Sequence, residues 1–433
     1  MIRLFFLFFL LLLSSCSHKT TEPTLVSTAT TIGVAPKEAL LKVNYVDQNG
    51  ISETVVNPDR IRQFANTPLC APQAYKKLLR IYKKDAQGNS KSILTSYYDN
   101  GNLHQYLECV NTRALGWYSE WHENGQKKLQ TYVLAGIADL NEASIVTWSF
   151  EGEAYAWNEK GQKTAVCHYE HGKLSGEYCT YTPEGQLVSK SIWKNGKQHG
   201  HFYTYYPSGD VHECFFYDTG KREGRAEGFF NDKQYSFEEW YEEDCLRTGK
   251  YYLPNGRMIS QVQNGQGVRS LFEEEKLVSQ HEVHEGKPEG KFSFFDSSGK
   301  LEKIYFMKEG KKEGPETWYY TDTGQKKREF SWVMNEIHGL VQTWYPNGKM
   351  ESKKEMSHNQ KQGVATCWYT DGHLMMVEEY QADKLLRGKY IRRGSSEPVS
   401  VIEKGSGTAT LFDSNGNFLE AVSYRDSILE IKE

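Results

Sequence analysis

Apolar and aromatic positions over most of this chain fall in short runs interrupted by glycine. No run holds a 3.6-residue spacing for long, and prolines fall inside the repeating unit. The pattern is periodic on a longer scale. Counting back four residues from a recurring turn glycine reaches an aromatic in eleven pairs. The pairs are Tyr97/Gly101, Trp121/Gly125, Trp157/Gly161, Tyr181/Gly185, Tyr205/Gly209 and Tyr252/Gly256, then Phe295/Gly299, Tyr320/Gly324, Trp344/Gly348, Trp368/Gly372 and Phe412/Gly416. Most of these glycines lie 24 or 25 residues apart. A fixed short period is the signature of a repeat architecture.

The clearest stretch, Gly176 to Gly224, shows what one unit contains. A second glycine precedes the turn glycine by nine residues in eight units, as at Gly176, Gly200, Gly339 and Gly363. Between the two lies a run of Tyr, Phe, Trp and Thr, which suits a pleated, half-buried surface. A turn follows (Tyr345-Pro-Asn-Gly348, Leu253-Pro-Asn-Gly256), in which Pro fixes φ and Asn-Gly accepts positive φ. A second strand, often opened by an apolar residue such as Leu187, Val211 or Met350, runs to another turn such as Lys194-Asn-Gly-Lys197. Two strands and two turns per unit make one β-hairpin. The expected fold is all-β, an elongated single-layer antiparallel meander of ~24-residue hairpin repeats, each buried by its neighbours.

The core G-x-[aromatic]-x-x-[aromatic]-[aromatic]-P-x-G-x-L with a trailing G-K-x-x-G resembles the MORN-repeat variant. That variant occurs in bacterial proteins labelled YwqK-type antitoxin-like repeats. The resemblance covers residues 90–424 and implies a scaffold or binding surface. An antitoxin-like neutraliser is the alternative that the label suggests, and an envelope-associated enzyme or enzyme subunit is another.

The array is imperfect. Degenerate units are expected near Asn231 to Lys233, near Phe272 to Leu277 with Glu275 in a glycine's place, and near Arg392 to Gly394. Gly125 and Gly161 are 36 residues apart, so about 12 residues are inserted around Val133 to Trp148. Within the insertion, Asp139-Leu-Asn-Glu-Ala-Ser144 suits a short helix, and the segment is either a functional protrusion or a tolerated loop.

The first residues bear on location. Arg3 precedes an apolar run from Leu4 to Leu13, a length that suits a secretory signal and not a spanning helix. Leu13-Ser-Ser-Cys16 is similar to the bacterial lipobox, which implies diacylglycerol on Cys16 and cleavage before it. Ser17, where inner-membrane retention favours aspartate, points to the outer membrane. The expected organisation is therefore a signal peptide over 1–16, a Thr/Ser-rich tether over 17–37 and an N-terminal cap over 38–89. The repeat array follows over 90–424 and a C-terminal cap over 425–433. In the cap, Leu41 to Val46 and Ile51 to Val56 read as a hairpin and Pro58 to Ala65 as a helical turn with Pro at its start.

Charge and chemistry narrow the reading further. With 52 basic and 56 acidic residues the formal net charge is −4, which argues against nonspecific nucleic-acid binding. Apart from Cys16 there are seven cysteines, and Cys167 with Cys179, flanking the turn at Gly172, is the candidate disulfide. No Cys-x-x-Cys spacing, phosphate-binding Gly-Lys-Ser/Thr loop or nucleophile elbow occurs. His281 and His284 fall on opposite faces of a strand and are expected to be exposed. No catalytic residue, metal site or cofactor is expected. The candidate binding residues are the aromatic ladder Trp121, Tyr181, Tyr205, Trp344 and Trp368, and the expected partners are a membrane, through Cys16, and another protein.

Overall fold

The computed structural model describes residues 38–430, so the signal, the lipobox Cys16 and the tether lie outside the described residues. The chain divides into two units at Lys233/Gln234. Within each, successive strands pair antiparallel with their sequence neighbours, giving an open meander of hairpins. No helix among the described residues is long and apolar enough to cross a membrane.

The first unit opens with strands β1 (Leu40–Asp47) and β2 (Ser52–Val55), turned at Asn49-Gly50 as the sequence suggests. β1 also pairs with β3 (Tyr75–Tyr82), which pairs with β4 (Lys91–Tyr97), so the four-residue β2 forms the sheet edge. A short edge strand limits pairing with other chains. The helix Pro58–Asn66 follows, with Asn57 Oδ1 accepting from Asp59 N at 2.9 Å and Pro in the first turn. It seats Ile61 and Phe64 against Val43, Val55, Leu78 and Tyr82.

On the other face of these strands lies the insertion. It does not project. Its short helix, Glu142–Ile145, is capped by Asn141, and Leu140 and Trp148 pack with Leu107, Ala114, Tyr118 and Val133. The Trp148 indole meets Tyr118 edge-on at 4.9 Å and donates to Ile137 O at 2.8 Å.

Two turn types recur along both units. In the longer one, Gly348 N donates to Tyr345 O at 2.9 Å and Gly348 takes φ 81°, the pattern of a type I turn closed by a left-handed glycine. A bulge follows in register, because Thr343 faces Ser352 while Trp344 faces Met350. The other is a two-residue turn in which both residues take positive φ, as at Asn195 (53°) and Gly196 (79°). The three degenerate units are present. Glu275 adopts φ 64° where glycine was expected, and Lys233 and Gly394 adopt 68° and 79° in the other two.

Candidate functional site

Several hairpins are tied to the next by a tyrosine, in most cases one that the four-residue count does not find. In these hairpins a tyrosine three before the turn glycine reaches across one hairpin to the backbone carbonyl of the residue that ends a strand of the following unit. Tyr98 Oη donates to Trp121 O at 2.8 Å, Tyr345 Oη to Trp368 O at 2.7 Å and Tyr369 Oη to Ile391 O at 2.7 Å. Tyr320 belongs to this set, because its hydroxyl donates to Trp344 O at 2.8 Å. The turn ahead of Gly324 carries one extra residue, so counting back four lands on Tyr320 while Tyr319 ends the strand opposite Lys326. The two-residue turns are linked as well: Gly220 N donates to Gln198 O at 2.8 Å and Asp383 N to Lys361 O at 3.0 Å.

Of the five ladder residues, Trp121 is 8% exposed and belongs to the core beneath the cap, so it is not available to a partner. Tyr181, Tyr205, Trp344 and Trp368 are half-buried, two in each unit. Burial holds the Tyr205 hydroxyl above its usual pKa range despite the opposing charge of Lys190.

The disulfide expectation is corrected by register. Cys179 faces Val166 across the sheet, which puts Cys167 on the opposite face, and neither is in a disulfide. A one-residue offset is enough to separate two side chains in this way. Burial pushes the Cys167 thiol up to about 12, so it is a poor nucleophile at neutral pH.

Buried carboxylates were not foreseen. Glu239 accepts Tyr241 Oη and Tyr251 Oη, each at 2.7 Å, and a two-pronged contact from Arg269 at 2.6 and 3.1 Å. Glu378 accepts Tyr380 Oη at 2.8 Å and Tyr390 Oη at 2.7 Å. In both cases the residue opposite the carboxylate is a glycine, Gly249 or Gly388, and the tyrosine two residues on leans over it. A Cβ at Gly249 would lie 2.4 Å from the Tyr251 hydroxyl, so glycine makes the reach possible. Glu316 is held by the indoles of Trp318 and Trp332, at 2.7 and 2.8 Å, and by Lys312 at 2.7 Å. Burial works against the Glu316 charge, but these donors outweigh it and keep its pKa below the usual range. Burial likewise opposes the Arg269 charge, and the adjacent Glu239 overcomes it. Together these are charge-satisfied structural networks.

His281 departs from expectation. It is 6% exposed and stacks on Phe292 at 5.0 Å, while His284 is exposed. Burial, and then repulsion from Arg269, lowers its pKa to about 4. Among the described residues no group of three His, Cys, Asp or Glu is placed to hold a metal ion.

The second unit carries a band in which cations and rings interleave. The Lys303 ammonium lies 4.4 Å from the Phe294 ring centre and 4.6 Å from that of Trp318. The Arg328 guanidinium lies 5.0 Å from Trp318 and 5.3 Å from Phe330. Register places Phe294, Lys303, Trp318, Arg328 and Thr343 in one row across five strands.

Residues 174–195, 198–219, 288–309 and 337–358 match the MORN repeat variant. Each match opens just after one two-residue turn and ends inside the next, so each covers one hairpin. These four hairpins are MORN-variant repeats, and the architecture is that of a repeat protein. No curated protein matches the chain. Among solved structures, one titled TcdB2-TccC3-TEV is similar over 88% of this chain and 24% of its own, at 10% identity and a TM-score of 0.14. TcdB2-TccC3 without its hypervariable C-terminal region is similar over 84% and 28%, at 11% identity and a TM-score of 0.14. A porin-like protein from Bacteroides uniformis is similar over 65% and 94%, at 9% identity and a TM-score of 0.12. The chain spans about a quarter of the length of the first two, and all three likenesses are too distant to bear on fold or function.

Proposed function

We propose that this is a lipid-anchored, non-enzymatic scaffold of the bacterial cell envelope, tethered through Cys16 and offering its hairpin surface to a protein partner. The observation that carries the scaffold reading is the repeat-to-repeat clamp. Hydroxyl-to-carbonyl links such as Tyr345 to Trp368 and Tyr369 to Ile391 fix successive hairpins in one register. A surface fixed in this way holds the half-buried rings of Trp344 and Trp368 at a set spacing, and pre-organised rings bind at low entropic cost. Large half-buried aromatics are also the side chains that dominate protein interfaces.

The envelope assignment rests on the apolar run Leu4 to Leu13 followed by Leu13-Ser-Ser-Cys16. Acyl chains contribute about 0.8 kcal/mol per buried CH2, and two or more anchor firmly. Metabolic labelling with a fatty-acid probe tests the anchor. Label that depends on Cys16, lost in Cys16→Ala together with membrane association, is expected. Equal labelling of the two chains, or equal membrane retention, would refute the anchor.

A further inference from the structure

In the hairpins of this chain, the position five before the turn glycine faces the position four after it, and in two repeats the two are a hydroxyl pair. Thr180 and Ser189 meet at 2.7 Å, and so do Thr343 and Ser352. Two consecutive hairpins of the second unit replace that self-satisfied pair with a ring facing a cation. Phe294 faces Lys303, and Trp318 faces Arg328 at the corresponding register of the longer turn. The fold does not require the replacement, because Thr and Ser fill the same register without loss of pairing.

Neither cation has a carboxylate partner among the described residues. The nearest buried carboxylate on that face, Glu316, is already taken by Lys312, Trp318 and Trp332. Lys354, on the same face two strands beyond Arg328, also has no carboxylate partner among the described residues. Lys303 and Arg328 therefore lie two strands apart in the row, and strands about 4.8 Å apart space them by roughly 10 Å, while Lys354 stands two residues further along its strand. The rings of Phe294 and Trp318 beside them are half-buried. Every strand in the row is paired on both sides, so a peptide has no free backbone edge to add to there.

We propose that this row binds an acidic polysaccharide with one negative charge per disaccharide, lying across the strands. Sugar rings would rest on Phe294 and Trp318, with Lys303 and Arg328 meeting successive anionic groups. Two features select this ligand. The cation spacing corresponds to the length of a disaccharide step, whereas a single-stranded nucleic acid carries a phosphate on every nucleotide. The net charge of −4 also disfavours a dense polyanion.

Titration calorimetry of the full chain tests this with hyaluronan oligosaccharides, charged on alternate sugars, against neutral cello-oligosaccharides and oligo-dT. Binding of hyaluronan is expected, with little binding of either control. The variant Lys303→Ser with Arg328→Ser installs residues that sibling repeats carry at that position and should fold normally. It is expected to bind hyaluronan at least about tenfold more weakly, with an unchanged thermal midpoint. Equal binding by the folded variant, equal affinity for the neutral sugar, stronger binding of oligo-dT, or no binding of hyaluronan would each overturn the proposal.

Discussion

His281 shows how burial alters a residue that looks ordinary in sequence. Packed on Phe292 beside Arg269, and within reach of the Glu239 charge that Arg269 balances, it titrates at about 4 against an ordinary 6.5. Between those values the unfolded chain binds the extra proton, so stability rises with pH across that window. The contribution is whole above about 6.5 and is lost as the pH falls through about 4. Denaturation midpoints measured from pH 7 to pH 4 should therefore drop, and His281→Phe should flatten that drop. A slope unchanged by the substitution would show that other groups carry it. The strand position of His281 was legible, but its burial was not. The charges and rings around it come from strands up to about forty residues away, and only the folded register brings them together.

The hairpin itself was the most legible feature. Turn chemistry at Tyr345-Pro-Asn-Gly348 and Lys194-Asn-Gly-Lys197 dictates strand reversal, and both turns form as read. The connections between hairpins were not legible. The glycine count led to the aromatic four residues back, whereas the cross-repeat donors are its neighbours Tyr98, Tyr345 and Tyr369. Those tyrosines recur in the sequence, but their acceptors are backbone carbonyls and leave no sequence mark. The buried carboxylates are similar. Glu378-Glu-Tyr380 and Gly388-Lys-Tyr390 repeat the spacing of Glu239-Trp-Tyr241 and Gly249-Lys-Tyr251, a recurrence that could have been found. If the clamps join neighbouring repeats, Tyr345→Phe should cost about 1 kcal/mol. Tyr369→Phe, with a 0% exposed side chain, should cost more. Hydrogen exchange should show protection lost mainly in the two hairpins that each clamp joins. Uniform loss through the second unit would contradict nearest-neighbour coupling.

At the scale of the molecule, one local rule generates both units, and their differences mark where other tasks are carried. The first unit invests its helices in closing the start of the sheet, with Ile61 and Phe64 on one face and Leu140 and Trp148 on the other. The second carries the cation and ring row around Trp318. Every functional statement depends on which residues share a face, and that follows from hairpin register. Thiol mapping of the unreduced chain by mass spectrometry tests register directly. With Thr343→Cys and Ser352→Cys introduced together, and Cys367, which faces Ser352 on the next strand, replaced by Ser, those two thiols should link, while Cys167 and Cys179 remain unlinked to each other. A Cys167–Cys179 disulfide, or failure of 343 to link with 352 in the folded chain, would contradict the account.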